Sequence, residues 1–409
     1  MSLALPPAGA NSLPEEHVRS APGSPILPGG ATLGVLGGGQ LGRMFVHAAQ
    51  ELGYHTVVLD PDPTSPAGQI AHHHVQCDYL DAQGLADLAQ RCHAVTTEFE
   101  NVPARALATL AARLPVAPGA DAVAVCQDRV REKAHFTGCG VPCAPHALIA
   151  DEAQLQAIDP ALLPGILKTA SMGYDGKGQA TVHSVEALAA AWNELKRVPC
   201  VLEKRLELAF EVSVIVARNA QGELVHFPLQ QNLHRGGILA VTTVPAPDVT
   251  PELQAQAVRA AETIAASMGY VGVLCVEFFV LADGTLVANE MAPRPHNSGH
   301  YTLDACDVSQ FDLQVRAMTG LPLPAPRLHS SAIMLNLLGD LWFRDGSTDA
   351  ATPPWERVLT LPGTHLHLYG KLSARPGRKM GHLNITGASA TQVREVALRC
   401  CELLGLAAF

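Results

Sequence analysis

Two glutamates, Glu277 and Glu290, are spaced so that a hairpin would set them face to face. The run Val271 to Leu281 is apolar and rich in Val and Phe, Asp283-Gly284 is a strong two-residue turn, and Thr285 to Glu290 supplies the returning strand. With Ala282 opposite Thr285, counting outward sets Glu277 opposite Glu290. Facing Cβ atoms lie about 4.5–5.5 Å apart, where like charges repel. A hard cation removes that cost. Two carboxylates plus waters and substrate phosphates usually hold Mg2+, with Mn2+ as an alternative occupant. The competing arrangement slips the register by one residue and lets Glu290 leave the sheet.

A second set of residues has phosphate chemistry. Gly165 to Ala170 reads as a short apolar strand interrupted by Lys168, followed by Gly173-Tyr174-Asp175-Gly176-Lys177-Gly178-Gln179. Backbone N–H groups at that glycine density can wrap phosphate oxygens, and Lys177 adds charge. Gly178 follows Lys177 where a Walker A loop needs Ser or Thr. A plain hairpin turn is the competing reading, but it leaves a lysine unexplained inside an apolar strand. Strand Pro199 to Leu206 then carries Glu203, and the next begins with Glu211; these could serve an adenine hinge and a ribose diol, or be ordinary surface positions.

Nearer the N-terminus, Gly37-Gly38-Gly39-Gln40-Leu41-Gly42 joins a buried strand, Ala31 to Gly37, to an amphipathic helix, Gln40 to Leu52. Asp60 ends the following strand, Tyr54 to Asp60, where a ribose-binding acid would sit. The turn satisfies the dinucleotide fingerprint, yet it would equally accept a mononucleotide phosphate at the helix N-terminus. Thr97-Glu98-Phe99-Glu100 ends another strand at the carboxyl edge of the same sheet. Either one of its glutamates contacts substrate, or the segment only leads into the helix after Pro103.

The elements that must position these groups need a large chain. With 409 residues, 48% hydrophobic and 16% charged, this one can build two or three cores. Its net charge of -10 argues against nucleic acid or a membrane surface as the main partner. The ten cysteines include no Cys-x-x-Cys pair, so neither a disulfide framework nor a zinc site is indicated, and a reducing cytosol fits. No apolar run approaches membrane-spanning length, and residues 1–30 read as a disordered tail. Asp121 to Thr137 reads as one helix carrying Arg129, Arg131 and Lys133, and Gly138 to Pro145 as a link into the next domain. The run His72-His73-His74 reads as a solvated loop and not a metal tract.

Taken in order, these elements resemble the ATP-grasp superfamily, and within it the N5-carboxyaminoimidazole ribonucleotide synthetases of purine biosynthesis. Four strings carry the resemblance: GGGQLGRM (Gly37 to Met44), GYDGKGQ (Gly173 to Gln179), NEMAPRPHNSGHYT (Asn289 to Thr302) and RPGRKMGHLN (Arg375 to Asn384). The implied fold is α/β and α+β. A doubly wound parallel-sheet domain (31–126) precedes an ATP-grasp core (127–330), with subdomains at about 140–205 and 206–330, and a small β-rich domain (331–409) ends the chain.

The resemblance also implies roles. Arg129, Lys168, the loop Gly173 to Gln179, the hinge Glu203-Lys204-Arg205-Leu206, Glu211, His234, Asn289 and Glu290 would bind ATP, with Glu277 and Glu290 on magnesium. Asp175, Lys177, Arg294 and His296 would serve catalysis. Gly39, Gln40, Leu41, Glu98, Tyr174, Asn297, Ser298, His300, Lys371 and Arg378 would hold the bicarbonate-derived anion and the nucleotide substrate. The implied reaction joins bicarbonate to aminoimidazole ribonucleotide at the expense of ATP, through carboxyphosphate. A cytoplasmic homodimer and functional coupling to a downstream mutase come with it.

Two positions depart from the pattern: Gln231 stands where relatives often have Glu, and Lys177 replaces an Arg, losing a bidentate fork but keeping the charge. Another ATP-grasp carboxylase, such as biotin carboxylase, or a glycinamide ribonucleotide transformylase is the first competing assignment; the Lys371/Arg378 cluster and the GHYT string argue against it. An NAD(P)-dependent oxidoreductase is the second. It leaves Lys168, the second glycine loop and the paired glutamates without a purpose.

Overall fold

The computed structural model describes residues 24–171, 178–343 and 349–409. The first four strands are β1 (Thr32–Leu36), β2 (His55–Leu59), β3 (His73–Val75) and β4 (Ala94–Thr97), all parallel and in the order β3-β2-β1-β4. Leu33, Val35 and Leu36 of β1 are buried, as covering a parallel sheet on both faces demands. Helix Gln40–Glu51 packs Leu41, Phe45 and Ala49 onto it, an i, i+4, i+8 stripe.

Two expectations fail in this domain. His73 and His74 lie in β3, not in a solvated loop, because His72 Nδ1 accepts the Thr56 amide at 3.2 Å and β3 pairs along β2. Residues 24–30 are not a free tail: the Ile26 amide donates to Thr319 O at 2.8 Å, and the Tyr54 hydroxyl donates to Ile26 O at 2.6 Å.

Strands β5 (His146–Ile149), β6 (Gly165–Thr169), β7 (Gln179–Val182) and β8 (Cys200–Lys204) form an antiparallel sheet in the order β5-β8-β6-β7. Leu188 and Trp192 of helix Val185–Glu194 share a core with its Leu167 and Leu202. The nine remaining strands make one sheet: β9 (Leu208–Arg218), β10 (Leu224–His226), β11 (Gln230–Arg235), β12 (Ile238–Val244), β13 (Gly272–Leu281), β14 (Leu286–Ala292), β15 (Ser331–Leu338), β16 (Thr364–Leu368) and β17 (Lys379–Gly387). Its order is β14-β13-β9-β11-β12-β15-β17-β16, with β10 beside β9. The C-terminal strands therefore extend the sheet begun by β9 to β14 through the β12–β15 pairing, and helix Ala390–Leu404 covers that end.

The single helix expected over Asp121 to Thr137 is two, Ala120–Cys126 and Arg129–Gly138. Asp128 breaks it. Its carboxylate accepts the Val130 and Arg131 amides at 2.8 and 3.1 Å as an N-cap, which needs extended backbone at that residue. No helix among the described residues is long and apolar enough to cross a membrane.

Candidate active site

Glu277 does face Glu290, but by a different route from the one counted on the sequence. The Leu281 amide donates to Thr285 O, so the turn holds three residues, Ala282 to Gly284, with Gly284 at φ +83°. A two-residue turn would have put Ala282 opposite Thr285. The offset is cancelled by a bulge, because Phe278 pairs with Ala288 while Glu277 pairs with Glu290. Asn289 is the extra residue, and bulges of this kind re-aim side chains beside active sites.

Each glutamate has a cationic neighbour: Glu277 Oε1 lies 3.0 Å from His296 Nε2, and Glu290 Oε2 lies 3.2 Å from Arg129. Burial pushes the Glu277 carboxyl up, but the His296 charge overrides it and holds the group below the usual range. Burial pushes His296 down, and Cys275 and Glu277 together raise it well above the usual imidazole range. The pair is thus ionic. Asn289 Oδ1, on the residue before Glu290, is buried without a hydrogen-bond partner, so the strand pair offers two carboxylates and an orphaned amide oxygen, donor types that suit Mg2+.

Behind the glutamates lies a buried charge cluster. Helix Arg129–Gly138 presents Arg129, Glu132 and Lys133 at i, i+3, i+4 spacing. Lys133, with no side-chain exposure, lies 3.3 Å from Glu203 Oε1 and donates to Asn289 O at 3.0 Å. Lys168 takes the other oxygen, Glu203 Oε2, at 3.0 Å. Burial pushes Glu203 up, but Lys168 and Lys133 more than reverse it, so the carboxylate stays charged. Glu132, fully enclosed, accepts the Met291 amide at 2.7 Å, and burial lifts its carboxyl to about 7.

Sequence reading assigned no role to Lys133 or Glu132. Their helical spacing from Arg129 was the available signal. Lys168, expected to await an anion, already has a carboxylate. Glu203, expected to act through its backbone, contributes a buried side chain as well.

The hinge is partly committed: the Lys204 amide donates to Pro145 O at 2.8 Å and the Arg205 amide to Pro164 O at 2.9 Å, so neither is a spare donor for a base, and Leu206 follows them. Glu211 Oε2 sits 2.7 Å from His234 Nδ1 on the neighbouring strand, and Gln231 bonds to Asp248. Gln179 pairs with Lys168 along β7 and β6. Gly178 has φ +71°, and a Cβ there would come within 2.8 Å of Thr169 Oγ1. Gly173, Tyr174, Asp175, Gly176 and Lys177 lie outside the described residues.

The N-terminal glycine turn is occupied by the chain's own acids. Gly38 N donates to Asp60 Oδ2 at 2.7 Å, Gly39 N to Glu98 Oε1 at 2.9 Å, and Gly42 N to Glu98 Oε2 at 3.0 Å. Asp60 also accepts the Tyr79 hydroxyl at 2.7 Å, so it serves the turn and is not a free ribose ligand. A buried carboxylate stands at the helix start, where a pyrophosphate would sit in a dinucleotide site. Burial raises the Glu98 carboxyl, with the Gly42 and Gly39 amides opposing. Leu41 points into the core.

Gln40 faces the other way. Its Oε1 accepts Lys371 Nζ at 2.8 Å, which joins residues 331 positions apart. Arg378 donates to Ser373 O at 2.9 Å nearby. Glu100, the other acid of the pair, binds Arg294 at 2.5 Å. Ser298 Oγ meets His296 Nδ1 at 2.9 Å, while both amide atoms of Asn297 and His300 Nε2 are buried without partners. His300 stacks on His382 with ring centroids 4.5 Å apart.

Three family models tile the chain: the ribonucleotide synthetase preATP-grasp domain (residues 30–127), the ATP-grasp domain (134–311) and the phosphoribosylaminoimidazole carboxylase C-terminal domain (332–396). The N5-carboxyaminoimidazole ribonucleotide synthase of Brucella melitensis is 44% identical over 360 residues, 87% of this chain and 96% of that protein. The chain belongs to the N5-carboxyaminoimidazole ribonucleotide synthase family. Solved members of the family agree in fold. An N5-carboxyaminoimidazole ribonucleotide synthetase in complex with ADP is 40% identical, covers 93% of this chain and 98% of its own, and superposes with a TM-score of 0.86. The Aspergillus clavatus synthase, in complex with ADP and 5-aminoimidazole ribonucleotide, is 32% identical over 92% of this chain and 98% of its own, with a TM-score of 0.83.

Proposed function

We propose that this chain converts 5-aminoimidazole ribonucleotide, ATP and bicarbonate to N5-carboxyaminoimidazole ribonucleotide, ADP and phosphate. The observation that supports this reading most is the Lys371–Gln40 contact, which brings a cation of the C-terminal region to the N-terminal turn, where it would serve an anion other than the one met by Arg129 and Lys168. Two such anion sites, together with one pair of facing carboxylates, suit a reaction that joins a nucleotide to an ATP-derived acyl phosphate.

Phosphoryl transfer asks the protein mainly for positioning and charge neutralisation. Arg129 and Lys168 would exchange their carboxylate partners for ATP phosphates. Glu277, Glu290 and Asn289 would hold Mg2+, which neutralises charge on the transferring phosphoryl group when bound. Arg294, anchored by Glu100, and His296 carry positive charge beside that edge and would hold bicarbonate and then carboxyphosphate. Lys371, Arg378 and Gln40 would grip the ribonucleotide's 5'-phosphate. Asp175, Lys177 and Tyr174 would contact the imidazole and its new carboxylate; as the C–N bond forms and the bond from carbon to the phosphate oxygen breaks, the proton the amine loses is carried off on the departing phosphate.

The reading includes a cytosolic homodimer and functional coupling to the mutase that consumes the product; sedimentation equilibrium and coupled assays with that mutase test both. The central assay measures ADP release with ATP, bicarbonate and aminoimidazole ribonucleotide, omitting each in turn. Dependence on all three is expected. ADP release indifferent to the ribonucleotide would overturn the assignment.

A further inference from the structure

The metal edge has a donor that the ATP chemistry does not use. Cys275 lies two residues before Glu277 on β13, so both side chains leave the same face of the strand. One ligand atom each from Cys275, Glu277 and His296 lies within 4.8 Å of the other two. Glu277 Oε1 and His296 Nε2 are already only 3.0 Å apart. A tetrahedral ion with bonds of roughly 2.0–2.3 Å requires donor separations of about 3.3–3.8 Å, so the carboxylate and imidazole part by a few tenths of an ångström while the separations to Cys275, at most 4.8 Å, close by up to about 1 Å. The imidazole is also oriented from behind, since Nδ1 accepts the Ser298 amide at 3.3 Å and lies 2.9 Å from Ser298 Oγ, which leaves Nε2 facing the carboxylate. Metal-binding histidines are typically fixed in this way through their second nitrogen.

We propose that Cys275, Glu277 and His296 form a binding site for Zn2+, and that zinc there excludes magnesium from the carboxylate pair. The donor types separate the two ions. Thiolate and imidazole select zinc-class metals, whereas Mg2+ keeps to oxygen. Glu277 belongs to both sets and cannot serve both at once. On binding, Zn2+ gains bonds to sulfur, nitrogen and oxygen while the Cys275 thiol and the His296 imidazolium each release a proton to solvent. The fourth position opens on the side where Glu277 and His296 retain 10% and 14% side-chain exposure; Cys275 forms the closed floor. No Cys-x-x-Cys signals this site in the sequence, because its ligands come from one strand and from a loop some twenty residues later, which only the fold brings together.

Binding is independent of the proposed reaction, whereas inhibition rests on it, so the two are measured separately. Metal-free full-length protein is titrated with Co2+ as a spectroscopic stand-in. The expected result is one equivalent giving a thiolate-to-cobalt charge-transfer band that is lost in Cys275→Ser, in Cys275→Ala and in His296→Gln. In turnover assays at saturating Mg2+ with buffered free zinc, wild type should be inhibited. Relative to its own zinc-free turnover, Cys275→Ser should tolerate at least about tenfold more zinc, the usual scale for losing support at a metal site. An unchanged cobalt band in both Cys275 variants would overturn the site and place the metal on other cysteines. A lost band with equal zinc inhibition of wild type and variant would overturn the exclusion of magnesium. Cobalt binding by a protein that does not turn over aminoimidazole ribonucleotide would leave the site standing and reject the proposed function instead.

Discussion

The two regions proposed to bind anions, one for ATP and one for the ribonucleotide, keep their cations in different ways. On the ATP side, Lys133 and Lys168 share one buried carboxylate, Glu203, whose side chain is 4% exposed. On the ribonucleotide side, Lys371 reaches Gln40 Oε1 and Lys379 O in half-buried surroundings, and Arg378 reaches Ser373 in an exposed contact. The first arrangement is part of the core: removing one charge strands its buried opposite, a loss that falls on stability and activity together. The second sits at a rim, where a missing cation is replaced by water and the loss falls on substrate binding.

The largest effect expected is on turnover. Glu277→Gln or Glu290→Gln should cut magnesium-dependent ADP formation by roughly a hundredfold or more, since each would remove a proposed ligand to the ion that would neutralise the transferring phosphate. Relief of glutamate repulsion alone would have the apo variants melt higher. With His296 and Arg129 as partners, Tm should instead stay level or fall. Near-normal turnover at low magnesium in both variants would detach the pair from the metal.

Stability separates the two regions next. Lys133→Met leaves Glu203 half-paired and the Asn289 carbonyl without its donor, and should cost about 3–5 kcal/mol in urea unfolding. Lys371→Met should stay within about 0.5 kcal/mol, as rim substitutions do. Equal costs would collapse the distinction between core and rim.

Acid should test the Glu100–Arg294 junction. Burial pushes Glu100 up, but the Arg294 guanidinium overrides it and holds the carboxyl at about 2. A depressed carboxyl stabilises the fold above its unfolded value and loses that contribution as pH falls from about 4.5 to about 2, on the order of 3 kcal/mol. Glu100→Gln should flatten that limb of the stability–pH curve. An unchanged limb would show that the pair contributes little.

Kinetics sharpen the rim. Lys371→Ala and Arg378→Ala should raise KM for aminoimidazole ribonucleotide roughly ten- to a hundredfold and leave KM for ATP nearly unchanged, because a remote phosphate contact is made equally in ground and transition states. Weakening of ATP alone would move the cluster to the triphosphate site. The smallest effect expected is none at all: calorimetric titration with NAD or NADP should show no saturable binding, as Glu98 and Asp60 already hold the turn's amides.

Periodicity, glycine placement and four motif strings were enough to order the domains, name the family and nominate the metal pair. Such signals are local: an apolar run along β13, a strand-to-helix turn, a lysine in an apolar strand. Even there, the Glu277–Glu290 pairing was reached by a count in which a three-residue turn and the Asn289 bulge offset each other, because local turn chemistry does not encode a bulge six residues away. Long-range partners were not legible. That Glu98 would close its own glycine turn, that Lys133 would share Glu203 with Lys168, and that Cys275 would meet His296 all depend on which strands lie side by side. Charge type and spacing determine what a residue can bind. Which opposite charge reaches it first, in a core where an unpaired one is too costly to keep, was decided by the tertiary structure alone.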